Sequence, residues 1–162
     1  MINGIVFCDL DGTLLTSNLK ITKQTQQTVK KLKDKNVEFV LTSGRCFKFV
    51  KNISNQLTDS DFVIASNGSL IKNQKTNEIL FLKSLPNKVV LKIFKLANKL
   101  KCDAFVESSD ITFKNCDFET EVLSDIINTK QLKQILKTMP IIKFCIESYN
   151  KQALQTLSLI HI

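Results

Sequence analysis

Three apolar runs in the first half of the chain each end at a polar residue. Ile5-Val6-Phe7-Cys8 ends at Asp9, Val37-Glu38-Phe39-Val40-Leu41 at Thr42-Ser43-Gly44, and Phe62-Val63-Ile64-Ala65 at Ser66-Asn67-Gly68. Short runs bounded in this way read as strands, and the first, with no polar interruption, reads as a buried parallel strand. Between them the spacing shifts to the helical period. One helix is expected from about Thr22 to Lys35, with Ile21, Val29 and Leu32 on its apolar stripe beside Thr25 and Thr28, and with Asn36 closing it in a left-handed conformation. A second is expected from about Cys46 to Gln56. This alternation implies a parallel sheet with helical crossovers. Ser69 to Leu82 reads as a hairpin with Asn73 to Asn77 as its polar turn.

A different rhythm begins near Ser84. Pro86 suits the first turn of a helix whose apolar face is Val89, Val90, Ile93, Phe94, Ala97 and Leu100. Short strands are expected at Ala104 to Glu107 and Ile111 to Lys114, a helix around Lys130 to Lys137, a strand from Ile141 to Glu147, and a last helix from near Asn150. The expected class is α/β, with a Rossmann-like sheet core in residues 1–82 and a small α+β domain in residues 83–156.

Composition narrows the classes. With 43% hydrophobic residues in 162, the chain can bury a core, and no apolar run is long enough to span a membrane. The start lacks the shape of a signal peptide, so a cytoplasmic protein is expected. Five cysteines in no CxxC or Cys/His cluster argue against a disulfide framework or a zinc site and for reduced thiols, several of them buried. The net charge of +8 is carried almost wholly by lysine, in runs such as Lys30-Lys31-Lys33-Lys35 and Lys88-Lys92-Lys95-Lys99. These fall at helix-surface spacing without interleaved aromatics, which favours solvated faces over a nucleic-acid surface. An A/T-rich coding genome would give the same excess of lysine.

The chemistry lies at the strand ends. In an open α/β sheet, ligands bind at the carboxyl ends of the strands. That rule gathers Asp9, Asp11, Ser43 and Asn67 at one crevice. Two carboxylates two residues apart are costly there without partners, and a hard cation would compensate them. Gly12 permits a tight turn, and Thr13 offers a hydroxyl. Other readings stay open: Asp9 and Asp11 as turn-forming or helix-capping aspartates, Ser43 as a helix N-cap, Arg45 as a surface arginine, and Asn67 as a turn former.

Asp9-Leu10-Asp11-Gly12-Thr13 after an apolar strand resembles the first motif of the haloacid dehalogenase superfamily. Leu41-Thr42-Ser43-Gly44-Arg45 resembles its second. Ser66-Asn67-Gly68-Ser69, followed by a hairpin and a helix, resembles the Cof-like (IIB) branch, whose sugar-phosphate phosphatases insert an α/β cap after the third strand. The resemblance implies a Mg²⁺-dependent phosphatase of small phosphorylated metabolites such as sugar phosphates. Asp9 would be the nucleophile that forms an aspartyl-phosphate, and Asp11 the acid and base. Ser43, Gly44, Arg45, Asn67 and Thr13 would meet phosphate or substrate, and Asp9 with the main-chain carbonyl of Asp11 would hold Mg²⁺.

Two elements of that pattern have no counterpart in the sequence, the lysine of the third motif and the acidic GDxxND-like fourth. Both normally follow the cap, and this chain is expected to end inside it. Residues 157–162, Leu-Ser-Leu-Ile-His-Ile, are also spelled by the codons of a sequencing-library adapter and are expected to be non-native. The alternative is a non-catalytic module that binds a phosphorylated ligand. A response-regulator-like receiver places its acceptor on a later strand, and no GxxxxGK[ST] segment supports a P-loop enzyme.

Overall fold

The computed structural model describes residues 2–57, 61–117 and 124–158. The chain divides into two compact units, Met1–Lys83 and Ser84–Ile162.

The first unit is a five-stranded sheet with helices α1 (Lys23–Asp34) and α2 (Phe47–Leu57). Its strands are β1 (Gly4–Asp9), β2 (Val37–Thr42), β3 (Phe62–Ala65), β4 (Leu70–Asn73) and β5 (Ile79–Leu82), ordered β1-β2-β3-β4-β5. β1, β2 and β3 are parallel, and the β4–β5 hairpin joins antiparallel. Local chemistry sets the boundaries. The Thr22 hydroxyl accepts from the Thr25 amide and opens α1, and Asn36 at φ +56° ends it.

β2 lies inside the sheet, between β1 and β3, with Phe39, Val40 and Leu41 all buried. The expected burial of β1 does not hold. It forms one edge of the sheet, and Ile5, Val6 and Phe7 are 54%, 36% and 61% exposed. Its side chains point to both faces, and among the described residues nothing pairs with its outer edge. An exposed apolar edge favours association. Replacing Phe7 with lysine is expected to weaken self-association of this chain about tenfold, one large side chain's burial being at stake. Sedimentation equilibrium measures this, and equal association of the two proteins would refute it.

The second unit holds α3 (Asn87–Lys99), β6 (Asp103–Glu107), β7 (Thr112–Lys114), β8 (Ser124–Ile126), α4 (Thr129–Ile135), β9 (Lys143–Glu147) and α5 (Lys151–Ser158). Its sheet runs β8-β7-β6-β9. α3 buries Val90, Ile93, Phe94 and Ala97 and leaves Lys88, Lys92, Lys95 and Lys99 exposed. α4 opens on a reciprocal cap, Asn128 Oδ1 accepting from the Lys130 and Gln131 amides while Gln131 Oε1 accepts from the Asn128 amide. On β6 the buried Glu107 is paired with Lys143 Nζ at 3.2 Å.

No disulfide forms among the described residues, but only Cys102 is buried, so the thiols serve as core residues less than expected. No helix among the described residues is long and apolar enough to cross a membrane. Residues 159–162 of the expected non-native tail lie outside the described residues.

Candidate active site at the strand ends

The chain leaves β1 at Asp9 and turns over within Leu10–Leu14, where the Leu15 amide donates to the Leu10 carbonyl at 2.9 Å. Gly12 adopts φ +73°, which a side chain would oppose. Leu10, Leu14 and Leu15 are buried, whereas Asp9, Asp11, Gly12 and Thr13 are exposed. The leucines therefore anchor both ends of the turn, and the carboxylates face outward. Burial, and then the charge of Asp9, push the Cys8 thiol up from its ordinary value. A thiol held protonated in this way is a poor nucleophile.

Asp9 lies in register with Thr42, so the ends of β1 and β2 coincide. Beyond Thr42 the chain is tied to the end of β3. The Ser43 amide donates to the Ile64 carbonyl at 3.0 Å, the Ser66 amide to the Arg45 carbonyl at 2.9 Å, and the Asn67 amide to the Ser43 carbonyl at 3.2 Å. Ser43 is buried, and its Oγ accepts from the Arg45 amide at 3.1 Å. It thus caps its own loop rather than α2, which begins at Phe47 and bonds back to the Cys46 carbonyl.

Ser66, Asn67 and Gly68 follow at φ +51°, +57° and +81°. Such conformations cost non-glycine residues about 1–2 kcal/mol each, so this turn stores strain beside the site. Asn67 is also a steric neighbour of Gly44. A Cβ on Gly44 would lie 2.6 Å from Asn67 Oδ1. Gly44→Ala is expected to cost about 1–3 kcal/mol, by forcing Asn67 from its place. Asn67→Gly should stabilise the Gly44→Ala variant more than it stabilises the wild type, where it relieves only the left-handed strain, in urea unfolding. An equal gain in the two backgrounds would show that the contact does not matter.

Arg45 reaches back to the first loop. Its Nε donates to Asp11 Oδ2 at 3.0 Å and its Nη2 to Asp11 Oδ1 at 2.9 Å. The guanidinium lies 4.6 Å from the centre of the Phe49 ring. Asp11, Arg45, Ser43, Gly44 and Asn67 are thus linked by direct contacts, and Asp9 and Thr13 are exposed on the adjoining strand end and loop. Phe49 was not singled out from the sequence, and its four-residue spacing from Arg45 was the available signal.

For a cation, this strand end offers hard oxygen donors, the Asp9 carboxylate and the Asp11 main-chain carbonyl, which suit Mg²⁺ in kind. The Asp11 carboxylate is taken by Arg45. No group of three or more potential ligands gathers among the described residues, so these two donors are what the turn contributes.

The family model for haloacid dehalogenase-like hydrolases matches residues 6–160. The chain belongs to this family. Among curated relatives of this chain, the Bacillus subtilis (strain 168) protein named "Putative phosphatase YxeH" is 31% identical over 117 residues, 70% of this chain and 43% of that protein. The 5-amino-6-(5-phospho-D-ribitylamino)uracil phosphatase YcsE of the same strain is 30% identical over 73 residues, 45% of this chain and 29% of that protein. The chain spans less than half the length of these relatives. A solved haloacid dehalogenase-like hydrolase from Bacteroides thetaiotaomicron shares the α/β fold with a TM-score of 0.79 at 20% identity, over 97% of this chain and 62% of that one.

Proposed function

We propose that the whole protein is a Mg²⁺-dependent phosphatase of small phosphorylated metabolites, sugar phosphates among them, that works through an aspartyl-phosphate on Asp9. The observation that carries this reading is the pinned turn after β1, which leaves Asp9 and Asp11 exposed where the strand ends meet the Ser43 loop. A named relative that removes phosphate from a ribityl chain supports the substrate class.

In the first step an Asp9 carboxylate oxygen attacks phosphorus, and the ester oxygen departs with a proton from Asp11. In the second, Asp11 takes a proton from the water that attacks the phosphorus, releasing phosphate and restoring Asp9. Ser43, Gly44, Thr13 and Asn67 surround the phosphoryl oxygens, and the adjoining N-terminal end of α2 favours the anion. Asp9 and the Asp11 carbonyl would hold Mg²⁺, which offsets charge between carboxylate and phosphate.

The test is turnover of p-nitrophenyl phosphate and a set of sugar phosphates by the whole protein, with Mg²⁺ and with EDTA. Peptide mass spectrometry after acid quench should find a phosphoryl group on the peptide holding Asp9. Phosphate binding without hydrolysis of any ester would replace this reading with that of a non-catalytic binding module.

A further inference from the structure

We propose that Arg45 is a positioning residue for Asp11: its guanidinium fixes the rotation of the Asp11 carboxylate, and the Phe49 ring fixes the guanidinium. The inference rests on the reading of Asp11 as the group that protonates the leaving oxygen, and it gives Arg45 work other than contact with phosphate.

Three observations carry it. The contact is a two-point fork, with Nε on one carboxylate oxygen at 3.0 Å and Nη2 on the other at 2.9 Å. A single bond would leave the carboxylate free to turn about it, whereas two parallel bonds define its plane. The arginine is itself held at both ends. Its amide donates to Ser43 Oγ at 3.1 Å, and its carbonyl accepts from the Ser66 amide at 2.9 Å. Its guanidinium stacks at 4.6 Å on the half-buried Phe49 ring, an aromatic face suited to a planar cation. Finally, Asp11 needs such a holder. It is exposed on a turn whose anchors are Leu10, Leu14 and Leu15, and these fix the backbone but leave an outward side chain free to rotate. A proton donor must point at one oxygen atom, and a misplacement of about an ångström costs on the order of 100-fold in rate.

The arrangement predicts a particular kinetic signature. Loss of Arg45 should lower kcat and leave KM nearly unchanged, because phosphate binding is not what it serves. The loss in the first step should be large for an alkyl phosphate, whose leaving oxygen needs a proton, and small for p-nitrophenyl phosphate, whose turnover falls only through the second step, where Asp11 acts as base and phosphoenzyme builds up.

The experiment compares Arg45→Ala, Arg45→Lys, Phe49→Leu, Asp11→Asn and the Arg45→Ala/Asp11→Asn pair in the whole protein. Each is assayed on glycerol phosphate and on p-nitrophenyl phosphate, with circular dichroism to confirm folding. Arg45→Ala is expected to lose about 100-fold in kcat on glycerol phosphate. Lysine, a point charge without the fork, should recover little of this, and added guanidinium should recover part. Phe49→Leu, which keeps Arg45, should give the same signature at smaller amplitude, and it decides the matter if Arg45→Ala does not fold. In the Asp11→Asn background, Arg45→Ala should cost little more, because both changes disable one function. A raised KM on both esters, weaker inhibition by inorganic phosphate, or a full further loss in the Asp11→Asn background would overturn the proposal and make Arg45 a phosphate ligand. If the wild-type protein hydrolyses neither ester, the phosphatase reading itself fails and the proposal falls with it.

Discussion

Asp9→Asn in the whole protein is expected to remove phosphate-ester hydrolysis by a factor of about 10⁴ or more, as loss of a covalent nucleophile does. Its thermal melt should stay that of the wild type. Asp9 is exposed at the end of β1, and the turn that follows is held by buried leucines and one main-chain bond, not by the Asp9 side chain. The amide keeps the shape and removes the nucleophilic charge. Asp11→Asn should differ in kind. With p-nitrophenyl phosphate the first step survives without a proton donor, so phosphoenzyme builds up when its hydrolysis slows. Rapid quench separates the two variants: no phosphoenzyme for Asp9→Asn, and more than in the wild type for Asp11→Asn. Phosphoenzyme on another residue in the Asp9 variant would remove Asp9 from the mechanism.

Much of this fold is written in local pattern, and what is not has identifiable physical causes. β3 is found at the four apolar residues that announce it, and α1, α3 and α4 lie within a residue or two of their stripes and caps. β8 was not foreseen. Ser124-Asp125-Ile126 has no alternation, and it is a strand because β7 offers it a parallel edge. The exposure of β1 within this chain has a related reason. An unbroken apolar run reports that a strand suits an apolar setting, but whether that setting is present depends on neighbours that pair with it. The candidate site divides along the same line. Asp9 and Asp11 stand out because their spacing is local. The fork between Arg45 and Asp11 joins positions 34 residues apart, and no pattern in either segment reports it. It exists because β1 and β2 run parallel in register, so that the loops at their ends meet.

The largest stability effect is expected at Phe94. Its side chain is fully buried on α3 and meets the Phe144 ring edge-on, with centroids 6.4 Å apart. Around it lie Val90, Ala97, Ala104, Val106 and Ile141, all fully buried. Phe94→Ala should cost about 3–5 kcal/mol, because the removed ring leaves a cavity that packed neighbours close only in part. A unit of this size has about 4–12 kcal/mol in total, so the substitution takes a large share. The loss should stay within the second unit, Ser84–Ile162, because Phe94 and the cluster around it belong to that unit alone. Hydrogen exchange reads this directly. Amides of β6 and β9 should lose protection, while those of β2 and β3 keep theirs. The residues proposed to bind phosphate all lie in Met1–Lys83, so the variant should keep phosphate affinity while its second unit opens. Equal loss of protection in both units would mean that they unfold as one, and phosphate binding should then fail together with the core around Phe94.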